Sequence, residues 1–201
     1  MNQQHEYIGT RKLLIGIVLA VITFWLFANS LINVIPNLQT SFGSYLSTIS
    51  IAVSLTALFC GMFVVGAGSL ADYFGRVRLT IIGLWLNIFG SLLIIVSDYI
   101  PLLLMGRAIQ GLSAALIMPA TLSLIKAYYH GDKRQRALSL WSIGSWGGSG
   151  FASLFGGMIA TFLSWRWIFV FSIIVSLIAV LLIKGTPESK NRHASSCLLY
   201  T

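Results

Sequence analysis

Three groups of residues in this sequence have types and spacings suited to chemistry. In "GSLADYFGRVR", residues 68–78, Asp72 stands four residues before Arg76 and six before Arg78, with Gly68 and Gly75 close by. A carboxylate so placed can pair with an arginine or seat itself on a helix N-terminus, and the two arginines can hold the segment at a membrane surface. The plainer reading, a basic topology signal, accounts for Arg76 and Arg78 but not for Asp72 between glycines. Arg107 lies inside an apolar run, six residues past Pro101, or about 9 Å along a helix. Burying arginine in a span costs roughly 2.5–3.5 kcal/mol on insertion scales. It either snorkels to the surface or faces a water-filled route, and Gln110 and Gly111 one turn on favour the second. Asn29 and Asn33, four apart, serve equally as interhelical glue or as the wall of a polar cavity.

The third group is a ladder of small residues. Gly144, Gly148, Ala152 and Gly156 recur every four positions, with Gly157 beside them and Ser145, Ser149 and Ser153 interleaved. One helix face is thereby stripped of bulk, so that a second backbone can approach closely. Such a face is either a packing seam or a contact between parts that move. The string Gly147-Gly148-Ser149-Gly150 raises the possibility of an intramembrane serine hydrolase, but a serine nucleophile needs a histidine to take its proton. His5, His130 and His193 all fall outside the apolar runs. The reading is therefore not an enzyme, and no metal-ligand or cofactor motif occurs.

The elements that must position these residues are membrane helices. The chain has 201 residues, 57% hydrophobic and 9% charged, against roughly 25% charged in soluble domains. Apolar runs near 13–35, 48–70, 79–97, 101–125, 137–160 and 167–184 have about the length an α-helix needs to cross a ~30 Å hydrocarbon core. Lipid cannot satisfy backbone amides, so such runs are helical, and the absent period-two alternation argues against a β-barrel. The first run is too long for a signal peptide and reads as a retained helix. Loops are expected at 36–47, 71–78, 98–101, 128–136 and 164–167. Pro119 should kink the fourth helix. Cys60 reads as a small buried apolar residue and Cys197 falls in the tail.

The net charge of +8 follows topology rather than a nucleic-acid site. With the N-terminus inside, eleven Lys and Arg residues face the cytoplasm, only Arg166 faces out, and Arg107 lies within a span. That asymmetry places both termini in the cytoplasm of a multi-pass cell-membrane protein. The expected division is a cytoplasmic N-terminus over 1–12, a transmembrane bundle over 13–184 and a cytoplasmic, disordered tail over 185–201.

These residues together resemble the signature motifs of the major facilitator superfamily. Residues 68–78 look like its loop motif between spans two and three. Leu103-x-x-x-Arg107-x-x-Gln110-Gly111, followed by Ala114 and Ala115, is similar to its fourth-span motif. The small-residue ladder ending in Gly156-Gly157 resembles its antiporter motif, and "WRWIF" at 165–169 is the usual opening of span six. More closely, the chain resembles quinolone-type multidrug efflux pumps of the fourteen-span drug:proton antiporter branch, of the staphylococcal Nor type.

The resemblance implies an all-α membrane fold, here six transmembrane helices as two three-helix repeats forming an N-terminal half. It also implies amphipathic drug-like substrates and protons as partners. Gly68, Asp72, Gly75, Arg76 and Arg78 would form a conformational latch. Arg107, with Gln110, Gly111, Asn29 and Asn33, would serve proton coupling in the cavity. The ladder would be a hinge-like seam. Two departures stand out: Ala152-Ser153 replaces the usual Gly-Pro, and residues 28–33 of the first helix carry no acid. All five acids (Glu6, Asp72, Asp98, Asp132 and Glu188) are read as lying in loops or tails. Because the family places its cavity between two six-helix halves, this chain is expected to be a truncated half, inactive without a C-terminal half or another copy. The rival reading is a non-transporting interaction protein or a dimerising half-transporter.

Overall fold

The computed structural model describes residues 9–189. The described residues form helices joined by short turns, with no strand among them. Thr10 starts the first helix, its hydroxyl accepting a hydrogen bond from the Leu13 amide, and α1 runs Arg11–Ile22. The run continues through a π-helical turn, Thr23–Ala28, and a 3-10 turn, Leu31–Val34, into α2, Ile35–Phe42. Then follow α3 (Leu46–Phe74), α4 (Arg76–Ile95) and α5 (Ile100–Tyr128). The fifth apolar run is α6 (Gly131–Ser142), a second π-helical turn (Ile143–Gly147) and α7 (Gly148–Phe162), and α8 spans Arg166–Ile183.

Among the described residues, five helical runs are long and apolar enough to cross a membrane: Arg11–Phe42, α3, α4, α5 and α8. The fifth run of the chain, 131–162, is helical throughout but is diluted by its glycines and serines.

The helices outrun the expected loops. α3 has 29 residues, roughly 43 Å, so both its ends project beyond a ~30 Å hydrocarbon core. Polar residues read as loop are therefore the wet ends of helices. Asp72 belongs to the last turns of α3, and the expected loop at 71–78 reduces to Gly75, whose φ of +117° suits glycine. The outer loop at 36–47 reduces to Gly43–Tyr45, with Pro36 taken into the first turn of α2. The inner loop at 128–136 reduces to Tyr129 and His130. α5 continues as helix through Pro119.

Numbered as six spans, the packing repeats after three. α4 lies on α5 as α8 lies on α1, and α3 lies on α5 as α7 lies on the π turn of the first span. α4 against α8 and α1 against α5 are the pairs that map onto themselves. Exchanging spans one to three for four to six thus leaves the pattern unchanged, as two three-helix repeats require.

Two large apolar clusters fill the bundle, with a small third at Ala71, Leu79 and Ala120. One, at the end carrying Tyr128 and Tyr129, gathers Leu13, Ile17, Leu84, Leu124 and Ile183. The other, toward the opposite end, gathers Leu31, Leu38, Ile94, Leu103, Trp165 and Phe169. Polar bonds tie the repeats between them: Asn87 donates to Ser172 Oγ at 2.9 Å and to Ser176 Oγ at 2.8 Å across α4 and α8.

Candidate functional site

Arg107 is 1% exposed, which excludes snorkelling. Its guanidinium donates to two carbonyls of α3, Ala52 O at 3.2 Å and Val53 O at 3.4 Å, and to Gln110 Oε1 at 2.9 Å. Gln110 in turn donates to Ser91 Oγ on α4 at 3.0 Å, and Thr56 donates to the Arg107 carbonyl at 3.0 Å. The arginine thus joins α3 to α5, and Gln110 extends the chain of polar groups to α4. Gln110 and Gly111, read as favouring a water-filled route, instead enclose Arg107 together with α3. A Cβ on Gly111 would lie 2.7 Å from Phe59 Cβ and close to Thr56 O, so this glycine lets α3 press directly on α5. What the site can do chemically is hold one positive charge deep in the bundle, fixed by dipoles of three helices.

The second constellation sits at the junction of α3 and α4. Arg76 Nη2 pairs with Asp72 Oδ1 at 2.8 Å, and Arg76 also donates to Ser123 O on α5 at 3.4 Å and to Ser189 Oγ at 3.3 Å. Of the two options open to Asp72, it takes the arginine. The helix N-terminus is taken by Glu188, which sequence reasoning missed. Its carboxylate accepts from the amides of Val77 (2.9 Å) and Arg78 (3.1 Å) at the start of α4, with Arg78 Nε at 3.9 Å. Gly75 makes room for it, since a Cβ there would collide with the Glu188 side chain. Arg76 N donates to Ser189 O at 3.2 Å, and Tyr128 donates its hydroxyl to Pro187 O. Residues 185–189 are therefore held against α4 and α5 and do not form the free tail expected from 185. The rest of that tail, 190–201, lies outside the described residues, as do residues 1–8 of the expected N-terminal segment. Gly68 faces α5, where a Cβ would make ordinary contact with Pro119 at 3.7 Å.

The small-residue ladder packs on the first span. A Cβ on Gly156 would meet Ser30 O at 2.8 Å, on Gly148 Trp25 Cβ at 3.2 Å, and on Gly144 Val18 Cγ1 at 3.3 Å. Ser30 Oγ donates to Ala152 O at 3.1 Å. Gly157 is not part of this face, having open space beside it. Asn29 is half-buried and donates to Trp25 O at 3.0 Å, whereas Asn33 is exposed in the 3-10 turn; the irregular helix separates the two. The two π turns face each other across this seam, with Trp25 and Trp146 stacked at 5.9 Å.

The structure thus brings Arg107, Gln110 and Gly111 into one buried cluster, and Asp72, Gly75, Arg76 and Arg78 into a second, partly exposed one with Glu188. Glu188 carried a faint signal, as an acid shortly after the last span.

Comparison with known proteins follows the same outline. The family described as Major Facilitator Superfamily matches residues 13–196. The chain is 68% identical over 187 residues to proteins named quinolone resistance protein NorB of Staphylococcus aureus, strains JH9 and Newman, covering 93% of this chain and 40% of each relative. The chain therefore spans less than half the length of these curated relatives. Among solved structures, a D-xylose–proton symporter superposes with a TM-score of 0.76 at 16% identity, over 89% of this chain and 48% of that one. A peptide transporter in complex with sulfate gives 0.74 at 17% identity, over 87% and 37%. At such identities the likeness is one of fold.

Proposed function

Because the chain belongs to the Major Facilitator Superfamily, we propose that it builds the N-terminal six-helix half of a proton-coupled, quinolone-type multidrug efflux transporter in the cell membrane, with both its ends in the cytoplasm. The reading rests on the 68% identity over 187 residues to the quinolone resistance proteins. The buried geometry supports it, because a charge held in a span at such cost is a functional group by default. Arg107 supplies a fixed positive field that favours the ionised form of a carboxylate brought near it. The five acids of the sequence include none in the first span, so the proton-carrying group is proposed to come from a second six-helix half. Asp72, Arg76 and Arg78, braced by Glu188, form the cytoplasmic clasp against which that half closes, with Arg78 presenting a side chain that is 69% exposed.

The test is a chimera in which residues 1–189 replace the matching part of NorB. Membrane vesicles carrying it should export a fluorescent amphipathic cation in a manner abolished by a protonophore. Cells making residues 1–201 alone should show no export above an empty vector. A chimera that inserts fully but exports nothing overturns the reading, and export by residues 1–201 alone refutes the need for a second half.

A further inference from the structure

Between α1 and α6, at the end of the bundle that carries Arg11, a cleft of about 360 Å³ is lined by Leu14, Ile15, Val18, Leu19 and Leu140, with Arg11 at its mouth. From Arg11 to Leu19 it extends about 12 Å along the helix. Past Arg11 every named wall is apolar, and Ile15 is 54% exposed in it. Leu140 also borders a second hollow along α6, whose wall includes Arg136 one turn away. Arg11, Lys12, Lys133, Arg134 and Arg136 are all exposed at this end, with Asp132 the acidic side chain on that stretch of α6.

An apolar slot that opens at a cationic rim has the polarity of one kind of molecule. We propose that the cleft binds an anionic phospholipid. One acyl chain lies along Leu14, Val18 and Leu140, and the headgroup phosphate sits between Arg11 and Arg136. The rim selects the charge: basic side chains at a membrane surface attract anionic lipid. They repel a cationic amphiphile, so this is a lipid site and not a continuation of the proposed drug route. Guanidinium groups suit the phosphate because they can donate two parallel hydrogen bonds to its oxygens.

Native mass spectrometry of the purified chain in detergent tests the proposal with phosphatidylglycerol and phosphatidylcholine of matched acyl chains. This readout needs neither transport nor sidedness, so it stands or falls apart from the proposed efflux function. Phosphatidylglycerol should bind about tenfold more tightly or better, and Arg11→Gln with Arg136→Gln should remove that preference. Val18→Trp, which fills the slot, should weaken both lipids while leaving the charges in place. Equal binding of the two lipids by the native chain overturns the proposal. So does a preference that survives the double arginine variant, or a cationic amphiphile that competes as well as phosphatidylglycerol. Both arginines are exposed, so their variants remain decisive even where Val18→Trp fails to fold.

Discussion

At the scale of the residue, Arg107 sets the problem, because a buried charge is a poor way to hold helices together. Replacing a whole buried polar set by apolar side chains of similar size often leaves a protein as stable or makes it more so. Arg107→Met combined with Gln110→Leu, which removes both partners of the buried bond, is accordingly expected to keep the thermal midpoint of the chain in detergent, or raise it, while abolishing proton-dependent export by the NorB chimera. A midpoint lowered along with export would make Arg107 a structural strut. Glu188 gives the opposite expectation. Its carboxylate satisfies two amides of α4 at 2.9 and 3.1 Å. Glu188→Ala should cost about 0.5–2 kcal/mol and speed hydrogen exchange at Val77 and Arg78, with Glu188→Gln milder. Unchanged exchange at those amides would contradict the capping role. The position of Arg107 within a span was legible because charge in an apolar run is conspicuous. Its partners on α3 were not, since Ala52 and Val53 offer only backbone carbonyls, which no side-chain pattern announces.

At the scale of the element, the glycines divide by what stands opposite them. Gly156→Ala must push against the Ser30 carbonyl, 2.8 Å from the new Cβ, and should destabilise the chain by about 1–3 kcal/mol. Gly157→Ala meets open space and should leave unfolding within about 0.5 kcal/mol. Thermal unfolding of the two variants side by side checks this, and equal losses would mean that α7 does not sit on the first span as described. Which ladder face is the seam was readable from the spacing of four residues, but the membership of Gly157 was not. The two π turns were also hidden. Each shifts the phase of its helix by a fraction of a turn, while the tighter 3-10 turn at Leu31–Val34 is how Asn29 and Asn33, four apart in sequence, come to differ in exposure. Loop lengths were overestimated for a simpler reason: polar residues mark where a helix leaves the hydrocarbon, not where it ends.

At the scale of the whole molecule, six apolar runs and four motifs sufficed to anticipate the bundle: hydropathy marks five of the helical runs, and the small-residue ladder marks the run over 131–162. The repeat became visible only in the packing, where α4 on α5 mirrors α8 on α1. The proposed sidedness belongs to this scale as well. In a background with Cys60 and Cys197 replaced by serine, Asp98→Cys, whose native side chain is 80% exposed, should react with an impermeant maleimide in intact cells. Asp132→Cys should react only after permeabilisation. The reverse pattern would invert the topology and remove the basis for a cytoplasmic clasp.

The hold that Glu188 and Ser189 keep on the first turn of α4 moves the point at which the polypeptide departs from the bundle. Whatever follows Ser189 sets out from the foot of the third span, not from the foot of the sixth. A downstream segment is therefore tethered at the one-residue corner between the second and third spans. Tension on that tether would be felt first at Arg76, whose amide and guanidinium both donate to Ser189.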